Sequence, residues 1–236
     1  MIDLNSLALY KNKISSYVDQ NVLGISTKSN ILSLFNFRNY TGNGLTIPSS
    51  IKINEGVASN FSKNTFITTP TKLTSLNDDF EIQVKFNYFQ KHKQQTNRYA
   101  EALLGANTLE DRLYLYIIQA LNLPYQIIRF DFTINSNDDY AFNNNFHINY
   151  NFDENLGDYY IKIIKENNNY TMKLYDENFN ELSSVTNQTD KQFKAANLTL
   201  GAEVTSTGDI YARNLTIDLN ETFIKQNGQI VSSWNI

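Results

Sequence analysis

The alternation of apolar and polar residues is sharpest over Tyr159–Leu182, YYIKIIKENNNYTMKLYDENFNEL. Ile161 and Ile163 fall on one side of a strand, and Tyr160 and Lys162 fall on the other. On a second strand Tyr170, Met172 and Leu174 alternate with Thr171, Lys173 and Tyr175. A period of two means one buried face and one wet face. Glu166–Asn169 supplies a turn, because asparagine tolerates left-handed backbone, and Asp176–Asn180 supplies the next. A hairpin of this kind needs a sheet beside it and a layer over it.

The same period recurs along the chain. Phe80, Ile82, Val84, Phe86 and Tyr88 alternate with Glu81, Gln83, Lys85 and Asn87. Further strands are expected at Leu113–Ile118, at Ile128–Ile134 with Arg129 and Asp131 turned away from the apolar face, and at Phe146–Tyr150. Leu198–Leu200 and Ile210–Leu219 follow. Thr222–Lys225 and Gln229–Trp234 close the chain, joined by Asn227-Gly228, the strongest two-residue hairpin signal. Short strands separated by turn signals predict an all-β fold, an antiparallel two-sheet β-sandwich. No internal repeat suggests a solenoid or propeller.

The N-terminal region reads differently. Leu4, Leu7, Tyr10, Ile14 and Tyr17 recur at steps of three and four, which predicts a short N-terminal helix over residues 3–18 with Asp3 or Asn5 as its cap. That helix either lies on its own domain, serves as a docking or self-association helix, or is a frayed terminus. An apolar run at Ile31–Phe35, the loop signal Thr41–Gly44 and Pro48 make a connector. The expected organisation is therefore a helix and connector over residues 1–54 and a sandwich over residues 55–236.

Composition narrows the function. The 236 residues are 41% hydrophobic and 19% charged, enough for one large β domain. The net charge is −4 with no basic run, which argues against nucleic acid as a partner. No apolar run approaches the ~18 residues of a membrane span, so no membrane insertion is expected. The first twenty residues lack the basic start, apolar block and cleavage site of a secretory signal. The absence of cysteine excludes disulfides, thiolate metal sites and cysteine nucleophiles.

A resemblance rests on the order of several segments. GVASNFSKNTFITTP precedes DDFEIQVKFNY; LLG, RLYLYI, DYYIKIIKENNNYTMKLYD and LTLGA follow, and GDIYARNLTIDLNETFIKQNGQIVSSW closes the chain. In the closing block Ile217, Leu219, Phe223, Ile224, Gly228 and Trp234 occupy a strand–turn–hairpin pattern. This order resembles the concanavalin A-like (laminin G-like) jelly-roll domains of bacteriophage tail and virion proteins, over roughly residues 55–236. The resemblance implies a virion protein that attaches to host surface glycan or to other virion proteins. The alternative it leaves open is a structural or decoration role in the particle. It implies a location in the virion, after synthesis in the host cytoplasm.

Candidate chemistry points to binding rather than catalysis. A glycosidase needs two carboxylates placed across the sugar, and the E-x-D-x-E triplet of laminarinase-like members is absent. Glu110-Asp111, Asp153-Glu154 and Asp176-Glu177 are adjacent pairs at turns or strand ends, so no enzyme activity is expected. His92 and His147 have no evident catalytic partner. No cofactor and no metal site are expected. Calcium is the one ion left open, because Asn135–Tyr140 offers hard oxygen ligands, and turn chemistry explains that segment equally well. Sugar recognition pairs aromatic faces with amide and carboxylate hydrogen bonds. The expected ligand-binding residues are Arg98 and Tyr99 in one loop and Asn137, Asp138, Asp139, Tyr140 and Phe142 in another. Repetition would raise avidity, so a homo-oligomer such as a trimer is also expected.

Overall fold

The computed structural model describes residues 39–40, 47–62, 65–68, 78–90, 99–106, 112–119, 123–133, 140–143, 145–193, 197–202, 210–213 and 215–233. The expected helix at residues 3–18 and Trp234 lie outside them. The described residues contain no helix, and so none long and apolar enough to cross a membrane.

The strands in chain order are β1 (Asn39–Tyr40), β2 (Ile47–Pro48), β3 (Lys52–Asn54), β4 (Val57–Ser59), β5 (Ile67–Thr68) and β6 (Phe80–Tyr88). They continue with β7 (Tyr99–Ala106), β8 (Leu113–Gln119), β9 (Gln126–Phe132), β10 (His147–Tyr150) and β11 (Gly157–Glu166). The last five are β12 (Asn169–Asp176), β13 (Glu181–Gln188), β14 (Leu198–Leu200), β15 (Leu215–Gln226) and β16 (Gln229–Ser233). They build an eight-stranded sheet, β13-β12-β11-β6-β15-β4-β3 with β16 beside β15, a six-stranded sheet, β10-β9-β8-β7-β14-β5, and a separate two-stranded pair, β1-β2. The pairings are antiparallel.

The two sheets bury their inner faces in one apolar cluster. Ile82, Val84, Phe86, Ile161, Ile163, Met172, Leu174 and Ile217 come from the larger sheet. Leu115, Ile117, Ile128, Phe130, Phe132, Leu198 and Leu200 come from the smaller. The alternation in β6, β11 and β12 therefore reads directly as inside and outside. Residues 47–54, assigned above to the connector, also pack here: Ile47 and Ile51 are buried and β3 pairs with β4.

Two strands depart from simple alternation. Strand β8 is buried on both sides: Leu113, Leu115 and Ile117 face the main core, while Tyr114, Tyr116 and Ile118 form a second cluster with Ala102 on the outer face. Its run RLYLYIIQ holds no polar residue between Arg112 and Gln119, the composition of a strand covered on two faces. Strand β13 was not anticipated. ELSSVTNQ lacks apolar alternation because it is an edge strand that pairs only with β12 and leaves most side chains exposed.

The outer face of the larger sheet is fastened by charge. Strand β15 bulges between Asp218 and Phe223. The bulge carries Glu221 over the sheet, where its carboxylate meets Lys85 Nζ at 2.6 Å and accepts from the Tyr160 hydroxyl at 2.7 Å. Lys85 also reaches Asp218 at 3.2 Å. Desolvation works against the charged form of Lys85, but Glu221 and Asp218 outweigh it and hold the ammonium above the usual lysine range. Burial alone would raise Glu221; the bonds from Lys85 and Tyr160 outweigh it and hold the carboxyl below its usual range.

The two turns that close β12–β13 and β15–β16 are built differently. Asn227 and Gly228 both have positive φ, 49° and 77°, the two-residue hairpin turn that their dipeptide predicts. In the β12–β13 turn the left-handed position is held by Phe179, at φ 61°. A side chain there costs ~1–2 kcal/mol relative to glycine. Asp176 offsets that strain by accepting from the N–H groups of Asn178 and Asn180, each at 2.9 Å, and from Asn180 Nδ2 at 2.8 Å. Those bonds lower the Asp176 carboxyl below its ordinary range.

Glu221 sets the sign of an acid response. Its folded pKa lies below its ordinary value of 4.5, so its contribution is fully present above pH 4.5 and is lost as pH falls through the folded value. Urea midpoints are expected to fall below pH 4.5. Glu221→Gln is expected to flatten that fall, by about 1 kcal/mol or less because the pair is partly solvated. An unchanged pH slope in the variant would assign the acid response to other carboxylates.

Candidate functional site

Three turns that are distant in sequence meet at one end of the eight-stranded sheet. The register sets Phe80 beside Lys165 on one side and beside Gln226 on the other. Asp78-Asp79 leads into β6, Asn167-Asn168 joins β11 to β12, and Asn227-Gly228 joins β15 to β16, so all three emerge at the same edge. Asn169 pairs with Gln188, which brings the end of β13 to that edge as well.

These segments line an open cleft of about 610 Å³ formed by Asp78, Asp79, Lys165, Asn167, Asn168, Asn169, Gln188 and Asn227. Its walls are held by hydrogen bonds. Asp79 Oδ1 accepts from the Asn167 N–H at 2.6 Å, and the Asp79 carbonyl accepts from the Asn227 N–H at 3.3 Å. Gln188 Nε2 donates to Asn169 Oδ1 at 2.6 Å. Lys165 is 6% exposed. Its ammonium donates to the Asp78 carbonyl at 3.5 Å and lies 5.9 Å from the centre of the Tyr170 ring. Asn167 and Asn227 occupy left-handed backbone, φ 54° and 49°, which asparagine accepts more readily than most residues.

The chemistry of this lining is distinctive. Each primary amide presents both donors and an acceptor, the carboxylates only accept, and the ammonium only donates. A hydroxyl also donates and accepts at one atom. The amide-lined cleft therefore offers donors and acceptors of the same kind as hydroxyl groups. Glu166–Asn169 and Asn227-Gly228 were visible in the sequence as turn signals; what the sequence did not display is that these turns share one end of one sheet.

The expected ligand-binding residues are dispersed. Arg98, Asn137, Asp138 and Asp139 lie outside the described residues, as do His92 and most of the candidate calcium segment. Tyr99 opens β7 opposite Gln119, at one end of β8. Tyr140 bridges Thr133, beyond the Leu113 end of β8, and packs edge-on against Tyr114 at 6.4 Å. Gln119 lies six residue steps along β8 from Leu113, so Tyr99 and Tyr140 stand about 20 Å apart along the strand. Phe142 is a correction. It is 4% exposed and its ring packs against Phe146 at 4.7 Å and Tyr170 at 5.0 Å, so it is core rather than a face for a ligand. The reason is Asp131, whose buried carboxylate accepts from the Phe142 N–H at 3.0 Å and draws the loop inward. His147 pairs with Arg129 in register across β9 and β10. Of the adjacent carboxylate pairs, Asp153 accepts from the Tyr88 hydroxyl at 3.2 Å, and Asp176 caps its own turn.

No family model and no curated protein matches the chain. Among solved structures, the CBM2 module of Lactobacillus casei BL23 phage J-1 evolved Dit superposes with a TM-score of 0.50 at 10% identity, covering 76% of this chain and 80% of that one. The binding domain of botulinum neurotoxin serotype D gives 0.50 at 12% identity, over 81% of this chain and 44% of that one. The enzymatically active domain of bacteriophage CBA120 tailspike protein 2 gives 0.47 at 9% identity, over 70% of this chain and 24% of that one. At these identities the first two show a shared β fold and nothing finer.

The reassignment of Phe142 is testable by stability. Phe142→Ala is expected to lower unfolding free energy by ~3–5 kcal/mol, as for other buried aromatic truncations. Asn168→Ala, at the cleft surface, is expected to stay within ~0.5 kcal/mol. Urea denaturation of both variants checks the contrast, and a neutral Phe142→Ala would return that ring to the surface.

Proposed function

We propose that this protein is a non-enzymatic component of a bacteriophage particle, a concanavalin A-like jelly roll that attaches to carbohydrate on the host surface. The observation that carries the reading is the amide-lined cleft, whose donors and acceptors match sugar hydroxyls in kind. The fold shared with a CBM2 module of a phage Dit protein supports it. The non-enzymatic reading is supported by Asp79, whose carboxylate helps fix the β11–β12 turn and whose carbonyl accepts from the β15–β16 turn. Hydrolysis of a glycosidic bond needs a pair of carboxylates available across the sugar. An open site of this kind binds weakly by itself, and repeated copies in a homo-oligomer or a particle multiply weak contacts.

A structural role among other virion proteins is the second reading. It is favoured by β16, whose Ile230 and Val231 are 58% and 43% exposed. Exposed apolar strands accept further strands from a neighbour.

Binding of the purified chain to intact candidate host cells, before and after enzymatic stripping of surface polysaccharide, tests the proposal. Binding is expected to disappear on stripping. Asn168→Ala combined with Gln188→Ala is expected to weaken it about tenfold, the loss of one to two net hydrogen bonds. Binding that survives stripping, or assembly with particle proteins in place of cell binding, favours the second reading.

A further inference from the structure

Phe179 combines left-handed backbone, at φ 61°, with a half-exposed aromatic ring. Among the described residues, the positive-φ positions outside glycine are Glu55, Asn60, Asn143, Asn167, Asn227 and Phe179. Four are asparagine, which tolerates that backbone. Phe179 alone is bulky, and bulky residues in left-handed backbone mark sites where strain is retained for a reason. The turn is over-determined to hold it there, through the three hydrogen bonds that the Asp176 carboxylate accepts and the one its carbonyl accepts from the Phe179 N–H at 3.1 Å.

The turn lays the ring on the outer face of the eight-stranded sheet. Phe179 stacks on Tyr160 with centroids 4.0 Å apart and planes 26° apart. Tyr160 is thereby covered to 4% exposure, while Phe179 itself remains 48% exposed. Tyr175 flanks the ring at 6.1 Å, and Lys162 Nζ lies 5.6 Å from its centre. Tyr160 is anchored from below by its bond to Glu221. The result is a half-exposed ring stacked on a hydrogen-bonded tyrosine, with the Lys162 ammonium over it.

We propose that Phe179 is a stacking platform for a pyranose ring of a polysaccharide, separate from the amide-lined cleft. A sugar presents C–H groups on one face and hydroxyls around its rim, which suits a half-exposed aromatic ring bordered by a polar donor. The surroundings argue against a protein partner. The sheet around the ring carries Lys85, Glu81, Lys162, Lys173, Glu181 and Glu221, whereas the centres of protein interfaces are depleted of charge. The β12–β13 turn lies at the opposite end of β12 from Asn169 and the cleft, so a polysaccharide bound at both would span the length of the strand. This proposal rests on the glycan-binding reading above.

The probe is a set of oligosaccharides released from the surface polysaccharide of a host to which the intact protein binds. Calorimetry with the full chain is the first readout. Phe179→Leu, which keeps an apolar cover on Tyr160 and removes the flat ring, is expected to weaken binding about tenfold. Phe179→Trp is expected to stay within about threefold of the unmodified chain. Phe179→Leu binding as tightly as the unmodified chain overturns the platform and leaves the glycan reading standing. Failure of the unmodified chain to bind any of the oligosaccharides overturns both. A measurement on the unmodified chain covers the case in which Phe179→Leu does not fold. Nuclear Overhauser contacts between phenylalanine ring protons assigned to Phe179 and sugar C–H protons are expected, and their absence in a saturated complex overturns the platform.

Discussion

Strand β6 is the constraint on which the larger sheet depends. It is paired along its whole length by β11 on one side and, across a bulge, by β15 on the other. Its side-chain period leaves no freedom, since a one-residue slip would turn Ile82, Val84 and Phe86 to water and Glu81 and Lys85 into the core. Desolvating those charges without partners is far more costly than any local gain. That register determines which turns share an edge. It also places Lys85 under the β15 bulge, where Glu221 and Asp218 can reach it.

The two ends of the sheet use opposite solutions to the same backbone problem. Tight turns need left-handed residues, and at the cleft end asparagine fills them at Asn167 and Asn227, leaving amides free to face outward. At the other end the left-handed position carries Phe179, and a carboxylate holds the turn together. Turn chemistry at one end leaves a polar surface, and at the other an aromatic one. Both surfaces are by-products of hairpin closure that can be given over to recognition without disturbing the core.

The smaller sheet is constrained from two sides. Its inner face joins the main core, and its outer face carries the stacked pair Tyr114 and Tyr116, with ring centres 4.5 Å apart and Tyr140 against them. Asp131 is buried on that outer face, and the charge is accommodated because the backbone N–H groups of Phe132 and Phe142 both donate to it. This arrangement draws Phe142 away from the surface. It explains why a loop rich in polar residues on either side contributes a core aromatic.

The sequence by itself determined the all-β class, the inside and outside of β6, β11 and β12, and the Asn227-Gly228 hairpin. These are properties of neighbouring residues, written in a period of two and in the backbone tolerance of particular side chains. It did not display β13, because an edge strand needs no apolar face, nor the burial of Phe142, because that follows from a hydrogen bond to a strand eleven residues away. The cleft was legible only as two unrelated turn signals. Only the tertiary structure decided that they share one edge, because the pairing of β6 with both β11 and β15 is a long-range fact that no local pattern encodes. The same holds for Phe179: its place in a turn was readable, but its left-handed backbone and its stacking on Tyr160 exist only once β12 and β11 are side by side.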